Sequence, residues 1–518
     1  MQTIMKKILN YSLPALFILS IAVASCTKGL EDINKNKVNP TSLDGALLLN
    51  NAIINTSYPT KTVVFDMGIV QQLVTPNSGV LAGANFNQDS RDVTNAPLWA
   101  VYYQNVIKYT HDAIARTKDD PTRSNLYNMA RIWQSYAFMI LTDEYGDIPY
   151  SEGGAGLTDQ IFFPKYDKQQ DIYPNIIKEL TEASAALSES APVEASDVLY
   201  AGNIAQWKKF GYSLLLRAGM RLSKVDPATA QATVQAAFNG GIILQNANNA
   251  MMRHDANYTS PIGNMLNGTE AANFYLVKAF VDTLKNNNDP RLSSIAVRYV
   301  GATSGLAQTT DIATTDPSKQ IGMPMGYDNG TIVTKVTEDG LASFYDYSQL
   351  DRRRMAKNTA PIFFVTAAQT ELLLAEASFR GWISGNAAQY FSDAIRAHMN
   401  QLVSYDPASA VAPSDIDTYI ANHPLEAGRE LEQINTQYWI ASFLNGPEAF
   451  ANFRRSGYPN LTPNPYGQPS NPDVPNGTFI RRLTYPTSEL SVNAANVNEA
   501  IAAQGPDKLS TRVWWDKE

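Results

Sequence analysis

The lone cysteine of this chain, Cys26, limits how a fold of 518 residues is held together. It follows a segment with positive charge at Lys6 and Lys7 and an uncharged apolar run from Ile8 to Ala24. A run of this length is typical of a cleaved secretion signal rather than of a membrane span. Because a single cysteine forms no intrachain disulfide, we expect an exported body that core packing alone stabilises.

The residues around Cys26 resemble the lipobox of bacterial lipoproteins, in which the cysteine is acylated and becomes the new N-terminus. Small residues, Val23-Ala24-Ser25, stand directly before it. An ordinary signal peptide that contains a cysteine is the alternative. We predict a signal peptide at 1–25, a lipid anchor at Cys26 with a polar tether to residue 45, and one body at 46–518.

Composition and charge restrict the partners of the body. Removing residues 1–25 removes two lysines and no acid, which leaves 39 basic against 49 acidic residues and a formal charge of −10. The one basic run is Arg352-Arg353-Arg354. Nucleic acid requires a basic face, so this balance argues against a nucleic-acid partner. Hydrophobic residues make up 44% of the chain, which is ample for a core.

Amphipathic periodicity predicts a mainly helical body. Leu126, Met129, Trp133, Ala137 and Ile140 share one helix face. The pattern also suggests tetratricopeptide-like pairing of 125–141 with 172–187, of 207–222 with 228–238, and of 366–382 with 387–402. The predicted helices are 44–57, 96–118, 125–141, 172–187 with Asp171 as its cap, 207–222, 228–238, 366–382, 387–402 and 428–445.

Two regions break this helical pattern. Residues 242–365 alternate Asn, Gly and Thr with short apolar stretches, which predicts a strand-poor irregular insertion with one helix at 271–285 and no independent core. Residues 458–477 hold six prolines, which predicts an extended loop. Near the end of the chain, Trp514 and Trp515 favour a tail docked onto the body, with an exposed binding patch as the alternative.

Motifs for catalysis and metal binding are absent from the sequence. The four histidines lack metal-ligand spacing, and there is no nucleophile elbow or phosphate-binding glycine loop. We therefore predict no catalytic residue, no metal and no cofactor. Asp143 and Glu144 keep one alternative open, because a glycosidase needs only two suitably separated acids. Helix termination is the structural interpretation of this acidic pair.

Aromatic residues are the positive signal for ligand binding. They form 10% of the chain, and Tyr alone counts 26. Such side chains offer flat apolar faces on which sugars and peptides dock, although each is equally able to pack back on the core. The candidate binding residues are Phe86, Trp99, Tyr102, Tyr258, Tyr327, Tyr345 and Tyr347.

An ordered series of weak motifs along almost the whole chain resembles the SusD/RagB family of nutrient-binding outer-membrane lipoproteins, in its SusD-like subset. After the cysteine they are Asp143-Glu144-Tyr145-Gly146-Asp147-Ile148-Pro149-Tyr150, Pro164-Lys165-Tyr166-Asp167, Trp207 with Arg217, Asp289-Pro290-Arg291-Leu292, Glu371 with Leu374-Ala375-Glu376-Ala377, Phe453-Arg454-Arg455-Ser456-Gly457-Tyr458-Pro459, and Arg481-Arg482-Leu483-Thr484-Tyr485-Pro486.

The resemblance implies a fold and a function. The fold would be a SusD-like α/α superhelix of tetratricopeptide-like pairs with long loop insertions. The function would be the non-enzymatic capture of an oligosaccharide or a peptide, outside the outer membrane, for a SusC-like TonB-dependent transporter. Two alternatives stay open: a secreted helical glycoside hydrolase, and a repeat scaffold that binds only protein.

Overall fold

The computed structural model describes residues 43–77 and 83–518, and its dominant element is the α-helix. The predicted signal peptide and the predicted anchor at Cys26 lie outside the described residues. The helices are α1 Gly45–Asn55, α2 Thr60–Ile69, α3 Ala96–Val101, α4 Lys108–Thr117, α5 Ser124–Tyr145, α6 Gln169–Ala186, α7 Ile204–Arg221, α8 Pro227–Gly240, α9 Pro261–Asn267, α10 Lys278–Asn286, α11 Arg291–Ile295, α12 Ile332–Glu338, α13 Ala367–Phe379, α14 Ala387–Gln401, α15 Pro413–Asn422, α16 Glu430–Ala441, α17 Gly446–Ser456, α18 Thr487–Val492 and α19 Ala494–Gln504. Short π-helical turns, Arg91–Asn95 and Tyr102–Ile107, flank α3.

The predicted helix pairs are confirmed. Helix α5 packs on α6, α7 on α8, and α13 on α14, and α6 also packs on α7, so that the pairs stack into a continuous array. Within the array, α5 is buried along almost its whole length and ends at Gly146, whose φ of +81° suits glycine. Helix α13 begins with a capping box formed by Thr366 and Gln369. The expected mainly helical fold class is therefore correct.

The start of α6 differs from the prediction. Asp171 was expected to cap it, but the helix begins earlier, at Gln169, and Asp171 lies inside its first turn. The Gln169 N–H instead donates to the Asp147 carboxylate at 2.8 Å, across the turn that follows α5. A carboxylate from another segment thus accepts from one of the free N–H groups at the N-terminal end of α6. No local sequence motif could indicate this contact.

The region 242–365 contains more regular structure than predicted. The helix expected at 271–285 begins only at Lys278, because Tyr275–Leu276 pairs with Leu73–Val74 as a short antiparallel ladder. The apolar stretch 331–336 forms most of α12. The strands are β1 Leu73–Val74, β2 Ala250–Met252, β3 Tyr275–Leu276, β4 Ala296–Tyr299, β5 Ala313–Thr314, β6 Gln349–Leu350 and β7 Ile362–Val365, paired antiparallel as β1-β3, β2-β7 and β5-β4-β6.

One large core runs through residues Gly45–Glu518, which form one compact unit. Ala250, Leu276 and Phe280 of the 242–365 region belong to this core. The same region also holds two small satellite clusters of its own. The buried members of the first cluster are Tyr275, Val277, Met323, Ile332, Val336 and Tyr347, joined by Val74 of β1, and those of the second are Val297, Tyr299 and Ala302.

The C-terminal tail docks onto the body, as the paired tryptophans suggest. Trp515 is fully buried, and its indole N–H donates to Asp143 Oδ1 at 2.9 Å. The loop 458–477 contains neither helix nor strand, as its prolines predict. Among the described residues, no helix has both the length and the apolar character that a bilayer crossing requires.

Candidate functional site

The acidic pair that kept the hydrolase alternative open lies inside the body. Asp143 accepts hydrogen bonds from the Tyr173 hydroxyl at 2.5 Å, from Arg221 Nε at 3.1 Å and from Trp515. Glu144 is completely buried, and neither of its carboxyl oxygens has a hydrogen-bond partner among the described residues. Because neither carboxyl reaches a surface where a glycan would bind, the geometry gives no support to catalysis by this pair.

Glu144 has an unusual electrostatic environment. Burial raises its pKa to about 8, and the nearby Arg454 only partly opposes this effect. Burial also raises the pKa of Asp66 on α2, and the negative charge of Glu144 raises it further. The raised pKa of each carboxyl favours its protonated form, which avoids a buried unpaired charge.

A different place gathers side chains suited to ligand binding. Three loop segments that are distant in sequence, 83–87, 326–327 and 464–466, meet at what we call the loop junction. Asn85 joins the first two segments, because its Oδ1 accepts from Gly326 N at 2.9 Å and its Nδ2 donates to Tyr327 O at 2.9 Å. A third bond, from the same amide to Thr75 O at 2.9 Å, ties in the end of β1.

Two further asparagines attach the third segment. Asn464 Nδ2 donates to Ala84 O at 3.0 Å and to Asn85 O at 2.6 Å. In return, Asn87 Nδ2 donates to Asn464 O at 2.8 Å. Gly326 permits the close approach, since its φ is +87° and a Cβ there would lie 2.8 Å from Pro465 Cγ. Buried amides thus fix three loops by directional bonds to backbone atoms.

Aromatic rings line the loop junction. Phe86 packs against Tyr466 with their ring centroids 4.5 Å apart. Phe86 is mostly buried, whereas Tyr466 and Tyr327 keep part of their surface in solvent. Lys335 Nζ lies 5.8 Å from the centroid of the Tyr327 ring. The sequence interpretation missed Tyr466, although a tyrosine between Pro465 and Gly467 in a proline-rich loop is the kind of held, exposed ring that signals binding.

Tyr345, another of the predicted aromatics, borders the turn that precedes β3. Asn77 Nδ2 donates to Asn273 Oδ1 at 2.9 Å, which links the end of the 73–77 segment to the turn before β3. A Cβ on Gly305 would lie 2.7 Å from Ala272 Cβ and 3.6 Å from Tyr345 Cε1, so Tyr345 borders this turn. Tyr345 is half-buried and stacks on Phe344 at 4.2 Å. Of the predicted residues, Phe86 and Tyr327 therefore lie at the loop junction, whereas Tyr345 borders the turn before β3.

The other predicted aromatics have structural surroundings instead. Trp99 is 6% exposed and packs among Tyr103, Tyr145, Tyr166 and Tyr485. Tyr102 and Tyr347 are fully buried, and their hydroxyls donate to Thr56 O and to Asp339 Oδ2. These three side chains have no face for a ligand, so we leave them out of the candidate site.

Tyr258 belongs to another part of the surface. It is half-buried, stacks on His254 at a centroid distance of 5.4 Å, and donates to Ile54 O on α1 at 2.6 Å. No hydrogen bond of the loop junction involves it within residues 43–77 and 83–518. No group of three or more His, Cys, Asp or Glu side chains in those ranges is arranged to hold a metal ion.

Comparison with known proteins identifies the family. A SusD-like family profile, described as "Starch-binding associating with outer membrane", matches residues 35–486. The chain belongs to the SusD-like family. This confirms the resemblance drawn from the ordered motifs, and the family is one associated with the outer membrane. No curated protein matches this SusD-like chain by sequence.

Solved structures of SusD-like proteins share the fold. A chitin-binding protein is 30% identical with a TM-score of 0.81, and the match covers 92% of this chain and 100% of that one. The Bacteroidetes AC2a SusD-like protein is 27% identical with a TM-score of 0.78, over 92% and 100% of the two chains. A chitin-binding SusD homolog from Flavobacterium johnsoniae, 23% identical over 92% and 98% with a TM-score of 0.72, agrees in fold.

Proposed function

We propose that this SusD-like protein captures an oligomeric glycan at the cell surface and delivers it to a SusC-type TonB-dependent transporter. A lipid on Cys26 anchors it to the outer membrane, facing the exterior. The observation that carries the proposal is the aromatic face of the loop junction, in which Tyr327 and Tyr466 are partly exposed and held in place by buried asparagines. Fixed tyrosine rings suit sugar rings, which stack by their apolar faces.

The arrangement supports binding rather than chemistry. The asparagine amides use their hydrogen bonds on backbone atoms of the loops, so the rings are oriented before a ligand arrives, which lowers the entropy cost of binding. No acidic pair faces the rings in the contacts described above. A carrier that hands its ligand on needs affinity of this modest, stacking-dominated kind.

A chitooligosaccharide is the first ligand to test. The 30% identical relative with the same fold is a chitin-binding protein, and the match covers all of that chain. N-acetylglucosamine units present an apolar ring face together with amide groups, which suits tyrosine rings with polar tips. Other glycans, and a peptide, are the alternatives that the same assay resolves.

Isothermal titration calorimetry tests the binding step. Chitohexaose, maltohexaose, cellohexaose and a hexapeptide are titrated into the Cys26→Ser protein and into Tyr327→Ala and Tyr466→Ala variants. We expect glycan binding to weaken by at least about 2- to 12-fold in each tyrosine variant, since an aromatic contact contributes about 0.5–1.5 kcal/mol beyond its buried area. Tyr127→Ala, a half-buried tyrosine on α5, is the matched control. Unchanged affinity in both site variants would place the binding elsewhere.

Fractionation and pull-down test the anchor and the partner. Cys26→Ser is expected to release the protein from the outer membrane and to leave glycan binding intact. The wild-type protein, purified from solubilised outer membranes, is expected to bring a large barrel transporter with it. Recovery of protein partners without any glycan or peptide binding would favour the scaffold alternative, and glycan hydrolysis by purified protein would favour the enzyme.

A further inference from the structure

A second cleft lies on a different set of elements from the loop junction. Its volume is about 460 Å³, within the range of about 300–1,000 Å³ that small-ligand sites occupy. The start of α6, the end of α19 and the C-terminal tail form its walls. The side chains that line it include Lys168, Gln170, Gln504, Arg512, Trp514 and Lys517.

Trp514 provides an indole face that is fixed in this cleft. Its neighbours Val513 and Trp515 are both buried, and Trp515 is bonded to Asp143, so the tail cannot rotate freely. Trp514 itself is half-buried, with its ring 6.5 Å from that of Tyr173. Its indole N–H makes no hydrogen bond to any residue in the part of the chain that the structure describes. This N–H is also not one of the buried polar atoms that lack a partner. An indole held this way is ready to stack on a ligand.

The polar groups of the cleft divide into a fixed set and a rim. Gln504 is fixed, because its Oε1 accepts from Asp147 N at 2.7 Å and its Nε2 donates to the Tyr485 hydroxyl at 3.0 Å. Arg512 is held by Asp516 at 2.8 Å. At the rim, Lys168, Gln170 and Lys517 are exposed.

The charges of the lining select the class of ligand. Three cations, on Lys168, Arg512 and Lys517, face three carboxylates, on Asp147, Asp516 and Glu518, so the side chains sum to no net charge. An ionic ligand would meet attraction and repulsion together. A sugar hydroxyl both donates and accepts, so a wall that mixes donors with acceptors satisfies it, and the indole face covers the apolar side of the ring.

We propose that this cleft is a second saccharide-binding site, in which a neutral sugar unit stacks on Trp514. The proposal rests on the proposed function only in taking a glycan as ligand, since it involves none of the residues of the loop junction. A second site on the same body would hold a long glycan at two points and raise its overall affinity by effective concentration.

Fluorine NMR tests the site directly. The full chain with Cys26→Ser is labelled with 5-fluorotryptophan, which gives one signal for each of its seven tryptophans, and Trp514→Phe assigns the relevant one. Chitotriose, maltotriose, cellotriose and xylotriose are added, with trigalacturonate as the anionic comparison. We expect a saturable shift of the Trp514 signal with at least one neutral trisaccharide, and none with trigalacturonate. The signal of Trp382, a half-buried surface tryptophan that Arg380 covers, is the internal control.

Two variants separate this proposal from the proposed function. In Tyr327→Ala, the Trp514 shift is expected to persist unchanged, even where binding at the loop junction is lost. In Gln170→Ala, the sugar concentration at half-shift is expected to rise about 2- to 10-fold, which is the loss of one hydrogen bond. No Trp514 shift with any neutral trisaccharide, or a shift with trigalacturonate alone, would overturn the second site, whatever the result at the loop junction.

Discussion

Polar side chains hold both the interior of the helical body and the loop junction, but those of the interior are charged and those of the loop junction are neutral. In the interior, Arg455 forms a two-pronged pair with Glu376, at 2.8 and 2.7 Å, between α17 and α13. Arg221 joins Glu448 at 2.6 Å and Asp143 at 3.1 Å, between α7, α17 and α5. At the loop junction, by contrast, the bonds come from neutral asparagine amides to backbone atoms.

The contrast separates what fixes the helical array from what shapes the binding face. Each charge of a buried ion pair requires its oppositely charged partner, because a mismatch leaves an uncompensated charge in a medium of low dielectric constant. Such pairs therefore specify how the helices are arranged. An amide bonded to backbone oxygens makes no demand on side-chain identity in the partner loop, so the exposed residues beside it, such as Tyr466, are free to differ without loss of the framework.

The strongest test of this contrast breaks the central ion pair. Among the described residues, Arg455→Ala leaves the buried Glu376 with Arg380 as its one cation partner, and it removes the bonds that Arg455 donates to Asn435 and Asn452. We expect the free energy of unfolding to fall by about 3–5 kcal/mol, measured by urea denaturation. Arg396→Ala, which removes an exposed pair with Asp417, is the control, with an expected loss of about 0–1 kcal/mol. Equal losses in the two variants would contradict the role given to the interior pairs.

The charges themselves support this expectation. Burial alone would raise the pKa of Glu376, but Arg455 and Arg380 outweigh it and lower the pKa to about 2. Glu376 thus stays ionised in the folded state throughout the neutral range. Its contribution to stability is present above the unfolded pKa and is lost only as the pH falls toward 2.

A second test uses pH, to which the two regions should respond differently. The folded pKa of Glu144 is raised to about 8, so the folded protein holds a proton that the unfolded chain releases near pH 4.5. The stability that the Glu144 proton contributes should therefore fall as the pH rises from about 4.5 to about 8, by at most about 1.4 kcal/mol per pH unit, and level off above that. Glu144→Gln removes this contribution and should make the profile less steep, while the contribution of Asp66 remains.

Urea denaturation at a series of pH values measures the slope, and Glu499→Gln on the exposed surface of α19 is the control. The amide bonds of the loop junction involve no titrating group, so glycan affinity should stay constant over the same pH range in the wild-type protein. A parallel decline of affinity and stability would show that the two regions are coupled rather than independent.

The same contrast explains what could be predicted from sequence. The paired helices follow from local periodicity and from small residues at predicted crossings, and they were found. Helices α2, α15, α17, α18 and α19 were not predicted, and the helix expected at 96–118 is divided into α3 and α4 by a π-helical turn. The ladder between Leu73–Val74 and Tyr275–Leu276 and the capping of α6 by Asp147 were missed. Each depends on a contact with a segment outside the local motif, and local propensity carries no information about such a partner.

The candidate site was only partly predictable for a related reason. Aromatic identity and loop position selected Phe86 and Tyr327, which lie at the loop junction, but also Trp99, Tyr102 and Tyr347, whose rings or hydroxyls turn inward. Whether a ring faces outward depends on the three-dimensional path of its loop. At the loop junction that path is set by Asn85, Asn87 and Asn464, residues that in a single sequence look like ordinary loop composition.

The smallest effect on stability is expected at the loop junction. Asn85→Ala removes two donated bonds and leaves the Gly326 N–H without its acceptor. We expect the free energy of unfolding to fall by about 1–3 kcal/mol, less than for Arg455→Ala, because no charge is left unpaired. Glycan affinity should fall as well, since Tyr327 loses the bond that holds its backbone. Asn264→Ala is the matched control for both measurements, because the side chain of this exposed asparagine bonds only the Thr259 hydroxyl among the described residues. A variant that lost stability yet bound glycan as tightly as the wild type would show that the asparagines serve the fold and not the binding face.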